Sequence, residues 1–400
     1  TWSASAEFIV GALGVAVLLI IVAVIFTNLP APQLTYGELF ERLQRSETIA
    51  GVAPSAPGEL AAALPGGEPR AIVKPFLQAF GAIGQTEFVM LFLCLALGTA
   101  ALPSLLARAG VTGSVGDQRR SVAWATFFVA LFAISAPALA TFVKHLMFDD
   151  IAQSPASELP AWLNELAGRQ LLLAQDSNVD NAIEASELLV ARDGVVLALP
   201  MAARLPYVCT ALIAASGLAI ALAAAASHLF TIAASLADDV LRLFDPRNEM
   251  LPRIMVAWVA IAAVALSTGV FVAIADFDVL QAGIRAFALA AATFFPVLLL
   301  AIWWRRCSRL GALLALGSGV TVMLAEMAFG GAVIAGDFRF TVVAAALIGV
   351  VLALTAGVAG SLLGPKPSPA AQAYQEELRD PTGDSLYERA QKRALATANQ

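Results

Sequence analysis

The sequence predicts an all-α protein that crosses a membrane many times. Three observations carry this. Hydrophobic residues make up 59% of the 400-residue chain and charged residues only 14%, well below the ~25% charged of a soluble domain. The apolar residues come in eight long blocks, each close to the about 20 residues that cross ~30 Å of hydrocarbon. No block alternates apolar and polar residues as a barrel strand would. Helices, which satisfy their own backbone in lipid, are therefore expected.

The blocks run over residues 8–26, 88–106, 121–143, 205–237, 254–275, 286–304, 310–336 and 340–363, and the seventh alone holds a Lys, Arg, Asp or Glu, namely Glu326. They divide the chain into a first helix (1–28), a connection (29–87), two helices (88–147), an acidic connection (148–203), three helices (204–304), two more helices (305–363) and a tail (364–400). The first block lacks a basic leader and a cleavage site, so it is expected to be a membrane helix rather than a signal peptide. The chain opens on Thr1 rather than Met, and its true start is expected to lie upstream.

Arginine placement sets the orientation. Arg108, Arg119 and Arg120 follow the second block, Arg242, Arg247 and Arg253 the fourth, and Arg305, Arg306 and Arg309 the sixth. The connection after the third block is acidic, with Asp149, Asp150, Glu158 and Glu165 among others. The alternation places the basic loops and the C-terminus in the cytoplasm. The net charge of −6 belongs partly to that acidic segment and gives no sign of a nucleic-acid partner. Cys94, Cys209 and Cys307 read as small reduced thiols. Two histidines offer no zinc spacing.

In the first connection Pro30, Pro32 and Gly37 are expected to break the backbone before a short amphipathic helix over "GELFERLQ". In the second, "SELPAWLNEL" reads as a short helix with Trp162 at headgroup depth. "DSNVDNAIEASE" then matches the spacing of an EF-hand calcium loop. Asp176, Asn178, Asp180, Glu184 and Glu187 fall where oxygen ligands are needed, the last where a bidentate carboxylate sits. The sixth position, usually Gly, is Asn181, the next best residue for a left-handed turn. An acidic surface loop that binds nothing is the competing reading. The tail is expected to be mobile, with a short helix near "SLYERAQKRAL".

The stretch "LGTAALPSLLARAG" and the later "RRSV" carry a family resemblance. Gly98, Thr99, Ala100, Leu102, Pro103, Leu105 and Arg108 match a G-T-A-x-L-P-H-x-L-x-R segment, with Ser104 in place of the His. Arg119, Arg120, Ser121 and Val122 match the loop after it. "ELPAW", "LPYV", "FFPVLLLAIWWRR" and the opening "LPAPQLTYGE" extend the match over nearly the whole chain. The sequence resembles the cation/acetate symporter branch of the sodium:solute symporter family.

That resemblance implies a LeuT-like fold of two inverted repeats in a bacterial-type inner membrane. The chain would hold the last helix of the first repeat, the whole second repeat and two peripheral helices. It implies symport of a small monocarboxylate with Na⁺ or H⁺. A degenerate or truncated member that binds or senses without transporting is the alternative. No nucleophile, base and orienter are visible, so an enzyme is not expected.

Such sites use unwound helices whose backbone faces the ligand. Gly98 and Pro103 are the residues of the second block best able to open a helix, with Thr99 between them; packing or kink roles are the bland reading. In the fourth block, relatives place a Ser/Thr pair that helps bind a cation, and here the positions are Ala223 and Ala224. Sodium wants oxygen ligands, so Ser227 and Thr231 are the substitutes. His228 is read as a packed or interfacial imidazole, and Asp238 and Asp239 as an interfacial cap. Thr293 is expected to bond the carbonyl freed by Pro296. Glu326 is expected to face protein as a hydrogen-bonded or neutral carboxyl.

Overall fold

The computed structural model describes residues 2–49, 80, 83–109, 115–150, 155, 160–167, 172–174, 181, 188–190, 195–240, 250–274, 279–330, 333–335 and 338–379. The protein is an all-α, multi-pass membrane protein. Among the described residues, eight helices are long and apolar enough to span a bilayer, from Ala6–Thr27 to Val342–Leu363. The chain forms two compact units, one of Thr1–Gly84 with Thr126–Phe271, the other of Gln85–Ala125 with Val272–Gln400.

In the first unit, α1 (Trp2–Thr27) lies against α8 (Tyr207–Ala234). Small residues let the two backbones approach, as is common between helices in lipid. A β-carbon at Gly14 would collide with the Ser216 hydroxyl. Leu18, Leu19 and Val22 of α1 then meet Phe142 of α5 (Val115–Asp150), Leu163 of α6 (Ala161–Ala167), Leu199 of α7 (Val195–Ala202) and Ile213 of α8 in one buried cluster. The short helix expected near Trp162 is thus α6, held by Leu163. On α9 (Met250–Ile274), Trp258 and Leu266 are exposed, as suits a lipid-facing helix.

The first connection differs from expectation. Pro32 does not interrupt the chain but opens α2 (Pro32–Ile49), and Gly37 lies inside that helix. Proline at the first helical position loses only a donor that would lack a partner anyway. Two short antiparallel pairs also form: β1 (Leu172–Ala174) with β2 (Leu188–Val190), and β3 (Val333–Ala335) with β4 (Phe338–Arg339).

The second unit gathers α3 (Gln85–Ala101), α10 (Val279–Trp303), α11 (Arg309–Phe329) and α12 (Val342–Leu363). Cys94, Ala288, Ala292, Met323, Val343, Ala345 and Ala346 form its buried centre. Pro296 stays within α10 without ending it. The Thr293 hydroxyl does not take up the carbonyl that Pro296 frees; it donates to Leu289 O at 2.6 Å, one turn earlier. The carbonyl of Ala292, four residues before the proline, instead abuts Gly319 of α11, where a β-carbon would strike it.

The tail begins as a helix. α13 (Pro369–Leu378) is followed by Arg379, and both bond the end of α10. Gln375 Nε2 donates to the carbonyls of Ala301 and Trp304, and Arg379 Nε to that of Ile302. Arg305 pairs with Glu376 at 3.0 Å, and the Arg379 guanidinium lies over the Trp303 ring. The helix expected near "SLYERAQKRAL" lies outside the described residues.

Candidate functional site

The residues singled out in the second block lie at a helix break. α3 stops at Ala101, Leu102 is non-helical, and α4 (Pro103–Ala109) starts again at once. Proline explains the restart: its ring fixes φ and suits the first helical position. Leu102 O accepts from Leu105 N at 3.0 Å and from Leu106 N at 3.1 Å, closing the new first turn. The carbonyls of Gly98, Thr99, Ala100 and Ala101 belong to the last turn of α3 and have no partner within it. Among the described residues no side chain bonds them.

Gly98 is not itself the hinge. It stays helical and buried, and a β-carbon there would lie 2.9 Å from the Phe287 carbonyl carbon of α10. Its role is close approach between α3 and α10. The Thr99 hydroxyl donates to Leu95 O at 2.7 Å, and its oxygen remains an acceptor. Thr99 and Ala100 are exposed, Pro103 is half-buried, and Ser104 is buried at 5% exposure.

The second group lies on α8, in the other unit. Ala223 is buried and Ala224 exposed. Both methyl groups leave the helix without a side-chain oxygen at that level. Ser227 and Thr231 are half-buried one and two turns on, and the Thr231 hydroxyl donates to Ser227 O at 3.0 Å. His228 is exposed. Asp238 and Asp239 lie beyond α8 itself, in a π-helical turn, Ser235–Val240, that prolongs it.

In the acidic connection, Asn181 adopts φ 61°, the left-handed turn its position in an EF-hand loop requires. Asp176, Asn178, Asp180, Glu184 and Glu187 lie outside the described residues. β1 and β2 flank this segment as an antiparallel pair rather than as the two helices of an EF-hand. Among the described residues no group of His, Cys, Asp and Glu is placed to hold a metal.

Sequence reasoning passed over one charged residue of the second unit. Arg285 lies one position before the apolar run of the sixth block, yet α10 starts at Val279 and carries it within the helix. Its guanidinium reaches Glu326 Oε1 at 3.6 Å. The available signal was a pair of opposite charges near matching ends of two consecutive antiparallel helices.

No protein-family model matches the chain. It is similar to an uncharacterized symporter of Cupriavidus necator, at 39% identity over 241 residues, 60% of this chain and 35% of that protein. It is also similar to a monocarboxylic acid transporter of Corynebacterium glutamicum, at 26% identity over 334 residues, 80% of this chain and 55% of that protein. The chain thus spans 35% and 55% of the lengths of these relatives. Both relatives are named as transporters, and this similarity, with the eight candidate spans, sets the chain beside multi-pass transport proteins.

Proposed function

We propose that the protein is a secondary active transporter that couples a small monocarboxylate, acetate or a near homologue, to Na⁺ or H⁺ in symport. We further propose the LeuT-like inverted-repeat fold of the sodium:solute symporter family, cation/acetate branch. The observation that carries the reading is the break at Leu102 inside an otherwise span-length segment. Irregular backbone at membrane depth is tolerated only where protein or a water-filled cavity meets it.

The chemistry rests on the break. The last carbonyls of α3 present partial negative charge to a cation, whereas at the start of α4 Pro103 has no N–H and Leu105 and Leu106 already donate to Leu102 O. Thr99 adds a hydroxyl oxygen beside those carbonyls. On α8 the methyl groups of Ala223 and Ala224 supply nothing to a hard cation. Ser227 and Thr231 are the side-chain oxygens further along that helix. A proton needs no such cage, so H⁺ is the coupling ion this α8 suits better.

The test is uptake of labelled acetate into proteoliposomes that hold the protein with any sequence upstream of Thr1 included, under an inward Na⁺ gradient, an inward proton gradient, or neither. Accumulation is expected under the proton gradient alone. Ala223→Ser with Ala224→Thr should increase the response to Na⁺. Absence of saturable uptake under every gradient would reject transport in favour of a binding or sensing module.

A further inference from the structure

Glu326 is the single carboxylate within the eight apolar blocks, and its surroundings do not fully satisfy it. It lies in the last turn of α11 at 3% exposure. Oε1 faces Arg285 at 3.6 Å, longer than a good hydrogen bond. Gly330 leaves the room for that oxygen; a β-carbon there would sit 3.0 Å from it. Oε2 is buried with no hydrogen-bond partner among the described residues. A buried charge is held at low cost only when both paired and hydrogen-bonded. Among the described residues one oxygen of Glu326 has neither kind of partner, so this is a poor resting place for a permanent anion and a fitting one for a proton.

The neighbouring charges are few. α10 offers Arg285, whose side chain is 48% exposed and so touches both the carboxylate and the surroundings. α12 carries no ionisable residue, and on α11 the other charge, Arg309, begins the opposite end. α3, packed on α10 and α12, carries Glu87 in its first turn. Arg339 comes next in β4, and Asp337 lies outside the described residues.

The pair is also tied to the broken helix. Phe287, two residues after Arg285, sets its carbonyl against Gly98. Met323, one turn before Glu326, shares a buried cluster with Cys94 of α3 and Ala288 of α10. A change in the Arg285–Glu326 contact is therefore felt on the α10 surface that holds α3.

We propose that Glu326 is the proton-binding group of this protein, with Arg285 as its exchangeable counter-charge. The proton adds to a carboxylate oxygen, neutralises it and releases Arg285; its departure restores the pair. An O–H bond forms and breaks, and nothing else is made or cleaved. The link to coupling rests on the transport reading above, whereas proton binding itself does not.

Infrared spectroscopy of the reconstituted protein separates the two. Acidification should produce a protonated-carboxyl stretch that is missing in Glu326→Gln and displaced but present in Glu326→Asp. A spectrum identical in Glu326→Gln overturns the proposal. In proteoliposomes, Glu326→Gln should lose proton-driven acetate accumulation by about tenfold or more, equivalent to ~1.4 kcal/mol, while acetate counterflow persists. Full proton-driven accumulation in that variant overturns it as well. If the unmodified protein moves no acetate, the transport reading fails, and the infrared result still decides Glu326.

Discussion

α3 ends at Ala101 and α10 ends at Trp303, and the protein treats these two ends in opposite ways. At the end of α10 the carbonyls of Ala301, Ile302 and Trp304 receive donors from Gln375 and Arg379, residues more than seventy positions later in the chain. At the end of α3 no described side chain reaches the carbonyls of Gly98 to Ala101. Every helix end leaves such groups, and an unpaired one is costly away from water. Where the end is structural, the chain has built a cap. Where the end has none, the groups remain available to something that is not part of the fold. That contrast, more than the presence of proline, is what supports the proposed role of the α3–α4 junction.

Three prolines test the point because all fall within apolar spans. Pro137 lies inside α5 and Pro296 inside α10, and both helices continue. Pro103 alone starts a new helix among these three. Replacing it removes the reason to restart: Pro103→Ala favours a continuous helix by ~3 kcal/mol, which depletes the broken form by about a hundredfold. The largest loss of acetate uptake should therefore come from Pro103→Ala, whereas Pro296→Ala should keep uptake within about twofold. Equal losses from both variants, measured in the same proteoliposomes, would mean that the break has no special role.

The cap is the next way to probe the contrast. Gln375→Ala removes the amide that bonds Ala301 and Trp304. Leaving buried carbonyls without donors costs ~1–3 kcal/mol. The expected result is a lower unfolding temperature in detergent and faster proteolysis of the tail, with acetate affinity unaltered. Unchanged unfolding would show that α13 only rests on α10.

Much of this architecture could be read from the sequence, because span length and hydropathy are local properties of each block. The eight blocks correspond to eight candidate spans. Gly98 and Pro103 also stood out, since few residues can end a helix in lipid. Their separate duties did not: Gly98 lets the Phe287 carbonyl approach, and the opening is at Leu102. Nothing local distinguishes Pro103 from Pro296: both lie in apolar spans, yet one starts a helix and the other stays within one. Thr293 bonded a different carbonyl from the one the local argument named, because a helical threonine hydroxyl reaches back to the carbonyl four residues earlier, here Leu289, and not to that of Ala292 just before it. Arg285 was hidden by a hydropathy boundary, since a charge inside a span is tolerated only through a partner on another helix. The α13 cap was invisible for the same reason.

The smallest expected effect concerns the turn just beyond the capped end. Cys307 lies there, half-buried, between α10 and α11. Burial pushes its thiol above the ordinary range, and a hydrogen bond from the Ser361 side chain offsets part of that rise. A thiol reacts as its thiolate, so a raised value means less reaction at neutral pH. In a protein with Cys94 and Cys209 replaced by Ala, alkylation of Cys307 should rise with pH later than the ~8.5 of a free thiol. Ser361→Ala should delay it further, by removing the contact that favours the anion. Ser361 Oγ also accepts from Ser308 N at 3.1 Å, so that variant will lose some stability, and the titration must be read on folded protein. Opening the cap with Gln375→Ala should act in the other direction if it lets water reach the turn, because restored solvation lowers the energy of the thiolate. An alkylation profile at the free-thiol position in the unmodified protein, unmoved by either variant, would show that the turn is already wet and that the capped end of α10 is no drier than the open end of α3.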